Sequence, residues 1–171
     1  MESYKHKFAK TTLAGWLRRV AANAGHDNAA SLGPISWRVN RRSPHHGIWL
    51  EYPVCLDAAN EIAGLFPVWD EWGALGDANP DRYFDVAPPT FKECLDGGLT
   101  PIAIFDVAVQ HKGSIAYALE VVHRGEVSST KRDYLDRIRR ECGGPRVYRI
   151  DADWILSRCG IPKALECTEI T

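Results

Sequence analysis

What this chain lacks narrows its class before any motif is considered. No apolar run approaches the ~20 residues that a membrane-spanning helix requires. Residues 1–7 are basic but lack the continuous apolar stretch of a secretory leader. The five cysteines (55, 94, 142, 159 and 167) are odd in number, scattered, and form no CxxC pair. Neither a disulfide framework nor a zinc ribbon is therefore expected, and a reducing cytoplasm is the expected setting. There is no Walker loop, no dinucleotide fingerprint and no GxSxG elbow, which removes the commonest nucleotide-binding and serine-hydrolase signatures. Nor does either charge dominate: 21 Lys+Arg stand against 22 Asp+Glu, a formal net charge of −1.

That near-neutral total hides a strong unevenness. Residues 1–50 carry eight bases against two acids, residues 51–96 ten acids against two bases, and residues 97–150 nine bases against six acids. A nucleic-acid binder is often basic overall, but local patches steer polyanions whatever the sum. Arg38, Arg41 and Arg42 with His45 and His46 make one candidate patch. Lys131, Arg132, Arg137, Arg139 and Arg140 make another, which a solvated helix face explains about as well. The 171 residues, 45% hydrophobic and 25% charged, suit one globular domain spanning 1–171 with a sizeable core.

The hydrophobic pattern orders the elements. Residues 5–24 read as a helix, with Ala9, Leu13, Trp16, Leu17 and Val20 on one face and Gly25 as its stop. Residues 35–39 alternate like a strand, and 48–54 form a second. An irregular, acidic insertion at about 55–99 is rich in proline and glycine. It carries Trp69 and Trp72, which suit base stacking but more commonly serve a core, and Thr90 as the cap of a short helix. Ser128 or Ser129 caps a helix to Cys142. Residues 146–150 form a strand, and Asp151 opens a last short helix through Cys159.

Between these lies the most informative stretch. The runs 101–109 (PIAIFDVAV) and 115–123 (IAYALEVVH) are short, rich in β-branched and aromatic residues, and bounded by Gly or Pro, as the strands of a β-hairpin are. Each holds one carboxylate, Asp106 or Glu120, inside an otherwise apolar strand. A buried charge costs several kcal/mol unless it is paired or metal-bound, so two such residues side by side suggest a divalent-metal site. Their separation is even, so an odd-numbered loop such as 112–114 puts both on one face. A two- or four-residue loop separates them unless a β-bulge re-aims a side chain. The competing reading is that one of the carboxylates simply faces solvent.

With Glu51 on the first of these core strands, Asp106 on the second and Glu120 on the third, the core order is helix, strand, strand, strand, helix, strand. In this the chain resembles the PD-(D/E)XK nuclease superfamily. Within it, the likeness is to competence protein CoiA-like and related endonuclease-like proteins, carried by residues 6–10 (HKFAK), 88–94 (PPTFKEC), 101–113 and 119–123 (LEVVH). The resemblance implies an α/β restriction-endonuclease-like core of order α-β-β-β-α-β. It further implies Mg²⁺ (or Mn²⁺) held by Asp106 and Glu120, with Glu51 or Asp85 as a further acid, and a nucleic acid, DNA in the first instance, as substrate.

One departure is plain. The superfamily pattern places a lysine two residues after the glutamate, and here that position is Val122. Lys131, at the start of the following helix, is the first candidate to replace it. His123 is the second, provided that the strand ends at Val122 and lets the ring turn in, and Lys112 in the hairpin turn is the third. His6 and Lys10, one helical turn apart, together with Arg41, Arg42 and Lys112, are candidate contacts to the nucleic acid. An exposed helix face accounts for His6 and Lys10 about equally well. The alternative expectation is a nuclease-like module that binds nucleic acid or a protein partner without cutting.

Overall fold

A computed structural model describes residues 2–25, 27–39, 45–63, 90–111 and 114–170. Along the chain the elements are α1 (Tyr4–Ala24), β1 (Ala29–Leu32), β2 (Ile35–Arg38), β3 (Ile48–Leu56) and β4 (Ile62–Ala63). They continue with α2 (Phe91–Asp96), β5 (Thr100–His111), β6 (Ser114–Val122), α3 (Ser129–Cys142), β7 (Arg146–Asp151), α4 (Ala152–Leu156) and β8 (Cys167–Glu169). The protein is a mixed α/β fold. Its main sheet runs β4-β3-β5-β6-β7-β8, and β1 and β2 form a separate hairpin. Among the described strand pairs only β6–β7 is parallel, and α3 is the crossover between those two strands.

Helix ends follow their capping residues. Ser3 accepts from the backbone N–H of His6 to start α1, and Gly25, at φ 85°, ends it. Thr90 and Glu93 form a reciprocal capping box on α2. Ser128 caps α3, and Gly143 closes it in the left-handed conformation. Asp151 caps α4, which stops at Leu156, three residues before the end that its sequence suggests, where the Ser157 amide turns back onto Asp153 and Ile155 carbonyls.

Two apolar layers cover the two faces of the sheet. One gathers α1 (Leu13, Leu17, Ala21), the β1–β2 hairpin (Ile35, Trp37), α4 (Ile155) and Val107, Val109, Leu119 and Val121 of the sheet. The other sets α3 (Leu135, Ile138) against Tyr52, Val54, Phe105 and Ala118. Residues two apart on a regular strand share a face. Here Leu50 joins the first layer and Tyr52 the second, and Val107 and Phe105 divide in the same way. The exchange is centred on Glu51 and Asp106, and Glu51 has a left-handed backbone, φ 52°. Both strands thus switch faces at the two positions that carry carboxylates.

The hairpin resolves the question of parity. Its strands pair up to His111↔Ser114, so the connection is the two residues 112–113, which lie outside the described residues. On a regular ladder that short loop would set Asp106 and Glu120 on opposite faces. The register shifts between Val109 and Gln110, however: Gln110 pairs Ile115 while Val109 pairs Tyr117, leaving Ala116 as the extra residue of a bulge. Beyond it Val107 pairs Leu119, the last pair of the ladder, and that shifted register carries Asp106 toward Glu120 rather than toward Leu119.

Candidate functional site

Asp106 and Glu120 are two of the few polar side chains in the core, 8% and 2% exposed. The β5–β6 ladder ends at Val107↔Leu119, and from there Asp106 substitutes for the missing strand partner. Its Oδ2 accepts from the backbone N–H of Val121 at 2.9 Å. The same oxygen lies 3.3 Å from Nε2 of His6, which also donates to the Val121 carbonyl at 2.7 Å. Burial disfavours the Asp106 anion, but the His6 hydrogen bond, the Lys131 charge and the Val121 amide outweigh it and hold this carboxyl below its usual range.

Glu120 behaves in the opposite way. Burial, and then the neighbouring Asp106 carboxylate, push it up to about 8, against the opposing pull of Lys131. The Lys131 ammonium bonds Glu120 Oε2 and donates to the Ile104 carbonyl at 2.8 Å. The other carboxylate oxygen, Oε1, is buried and meets no protein donor; its polar neighbour is the Asp106 carboxylate, to which it can hydrogen-bond only while Glu120 holds its proton. Such an atom is costly unless something electropositive meets it. Two carboxylates forced together by the sheet have thus divided their roles, one firmly ionised and one that holds its proton more tightly.

Helix α1 supplies a row that sequence reasoning did not assemble. Glu2, His6 and Lys10 stand at i, i+4 and i+8 along this end of the chain. His6 Nδ1 is 2.7 Å from Glu2 Oε1, and Lys10 bonds both Glu2 and, at 2.9 Å, Glu51. Lys10 is only 5% exposed, and its Nζ comes within 3.8 Å of Asp106. Burial opposes its charge, but the bonds to Glu2 and Glu51 and the Asp106 field raise its pKa above the ordinary value. The hydrogen bond to Asp106 likewise raises that of His6. His6 and Lys10 therefore face the carboxylates, where they support the site directly. Glu2 was missed, although the four-residue spacing was the signal that could have found it.

The remaining candidates fall into clear groups. Glu51 is largely exposed and engages Lys10 rather than the carboxylate pair. His123 follows the last residue of β6 and lines the same cavity as Asp106, Glu120 and Lys131, a space of about 470 Å³. Its Nε2 is 3.9 Å from Asp153. Asp85, Arg41, Arg42 and Lys112 lie outside the described residues, as do Trp69 and Trp72. Of the basic run on α3, Arg132 pairs with Glu126, Arg137 with Glu141 and Arg139 with Asp136. Only Lys131 of that run reaches the carboxylates.

A divalent ion fits this donor set in one respect: a Glu120 oxygen that no protein donor meets lies buried beside a second carboxylate. Among the described residues no group of three or more His, Cys, Asp or Glu side chains is arranged to hold a metal. Mg²⁺ keeps several waters and often takes only one or two protein carboxylates, so a two-carboxylate site is compatible with it.

No family model, curated protein or solved structure matches this chain.

Proposed function

We propose that the protein is a metal-dependent nuclease that hydrolyses phosphodiester bonds of nucleic acid, DNA in the first instance, at Asp106 and Glu120. The observation that carries this reading is the bulge-corrected approach of two buried carboxylates, one of which keeps a buried oxygen that no protein donor meets, beside a lysine. The order of α1, β3, β5, β6, α3 and β7 along the chain agrees with the restriction-endonuclease-like core that the PD-(D/E)XK resemblance implies.

Asp106 and Glu120 would hold Mg²⁺ or Mn²⁺, which supplies Lewis acidity and charge screening at a phosphate. The protein's own groups do the rest. Val121 N–H and His6 fix the orientation of Asp106 and keep it ionised. Lys131, a quarter exposed and anchored by the Ile104 carbonyl, is the donor nearest Glu120. It takes the role that Val122 cannot fill, steadying the attacking water and the charge that develops on the phosphate. Lys10 offsets Glu2, Glu51 and Asp106, so that an anionic substrate does not meet four uncompensated carboxylates.

The test is a plasmid-nicking and oligonucleotide-cleavage assay in Mg²⁺ or Mn²⁺. Asp106→Ala and Glu120→Ala should each abolish cutting, and Lys131→Ala should slow it by at least ~100-fold. Full activity in Lys131→Ala with loss in His123→Ala would transfer the lysine's role to His123.

One observation favours a second reading. Val122 stands where the resembled pattern has lysine, and His6, Lys10 and Lys131 are all engaged by carboxylates of the protein itself. On that reading the chain binds nucleic acid or a protein partner without cutting, and the same assay would show no metal-dependent product.

A further inference from the structure

Next to the carboxylate cavity, on the far side of Lys131, lies a second groove of about 340 Å³ between α2, the start of β5 and the first turn of α3. Its walls are Phe91, Ile102, Ile104 and Tyr134, and Ser128 and Thr130 also line it. Two of the five large apolar side chains that are exposed among the described residues line it: Phe91 at 47% and Ile104 at 36%. Exposed apolar groups clustered in this way mark a binding surface. We propose that this groove is a nucleobase subsite, which holds one unpaired base of the strand whose phosphate lies at Asp106 and Glu120. The proposal rests on the nuclease reading and deepens it by naming the substrate class as single-stranded, or locally unpaired, nucleic acid.

Three features select a nucleobase over other occupants. The first is continuity: Lys131 lines both cavities and is tied to the Ile104 carbonyl at 2.8 Å, so a chain bound at the carboxylates runs directly into the groove. The second is chemistry. Aromatic and aliphatic walls suit the π-faces of a heterocycle, and Thr130, also in the lining, brings a hydroxyl suited to its polar edge. The third is charge. Among the described residues no Asp or Glu lines the groove, and Lys131 is the one charged residue that does, so those residues offer a polyanion no repulsion there. A base within a duplex keeps its faces stacked on its neighbours and cannot enter such a groove without being unpaired.

The test is fluorescence anisotropy with a labelled single-stranded oligonucleotide and its duplex, in EDTA so that nothing is cut. Wild type should bind the single strand more tightly. Phe91→Ala and Tyr134→Ala should each weaken single-strand binding about tenfold, the scale of one lost base–aromatic stack. Phe91→Tyr should restore it, and duplex binding should stay within about twofold. Melting curves matching wild type would confirm that the exposed Phe91 can be truncated without unfolding the chain. Unchanged single-strand affinity in Phe91→Ala, or equal affinity for single strand and duplex, would overturn the proposal. So would a concentration-dependent dimer that Phe91→Asp dissolves while oligonucleotide affinity stays the same, since a second copy would then occupy the groove. Failure of the nuclease reading has a different signature: single-strand binding that depends on Phe91, with the strand left intact in Mn²⁺.

Discussion

Glu120 is the residue on which burial and chemistry conflict most. Its carboxyl, raised to about 8, binds a proton more tightly in the folded chain than in the unfolded one. The native state therefore takes up protons between pH ~4.5 and 8, so this residue's contribution is complete at the acid end and is lost as the pH rises through about 8. Asp106, held below its usual range, contributes in the opposite sense, favouring the fold above its unfolded pKa and losing that contribution in acid. Glu120→Gln removes the first term only. Its stability relative to wild type in urea unfolding should grow by up to ~1.4 kcal/mol per pH unit between pH 5 and 8. A difference that does not change with pH would contradict the assignment. The two carboxylates were legible because charges inside apolar runs stand out. Glu2 was not, because an acid at the exposed start of a helix looks ordinary until the fold shows what its helix faces.

At the scale of elements, the bulge at Ala116 brings the site together. The sequence made strands 101–109 and 115–123 legible through β-branched and aromatic content, but loop counting could not decide their register. A two-residue connection alone predicts the wrong face, and nothing in Ile115-Ala116-Tyr117 marks a bulge in advance. Three other strands were missed for a similar reason, among them β4, two residues that add to β3. β1 is Ala-Ala-Ser-Leu, poor in strand formers, and is extended because it pairs with β2 and packs beneath α1. β8 is three residues that add to β7. The register makes an unusual prediction: deleting Ala116 closes the ladder on the same pairs, Val109↔Tyr117 and Val107↔Leu119, so Asp106 should still be carried toward Glu120. That variant should fold and bind Mn²⁺ as wild type does. Inserting an alanine after Ala118 should abolish binding by moving Glu120 out of register. Circular dichroism melting and Mn²⁺ titration read both outcomes, and loss of binding in the deletion would show that the bulge does more than set parity.

At the scale of the whole molecule, two apolar layers clamp one sheet, and the carboxylates sit where β3 and β5 exchange faces between those layers. A site at such a crossing depends on both cores. Leu17→Ala under α1 and Ile138→Ala under α3 remove fully buried side chains on opposite faces. Each should cost ~2–5 kcal/mol of stability, and unfolding should remain a single cooperative transition by fluorescence and circular dichroism. Separate transitions for the two variants would mean that the layers are independent. The mixed α/β architecture and the shared sheet of the four principal strands were legible from periodicity. The face exchange was not, because it depends on the left-handed backbone of Glu51, a conformation that glutamate seldom adopts. The claim that joins these scales is that Asp106 and Glu120 form one divalent-metal site. Isothermal titration of Mn²⁺ into wild type, Asp106→Asn and Glu120→Gln tests it most directly. The account predicts one site per chain in wild type that either substitution removes, whereas no binding in wild type, or equal binding in all three proteins, would contradict it.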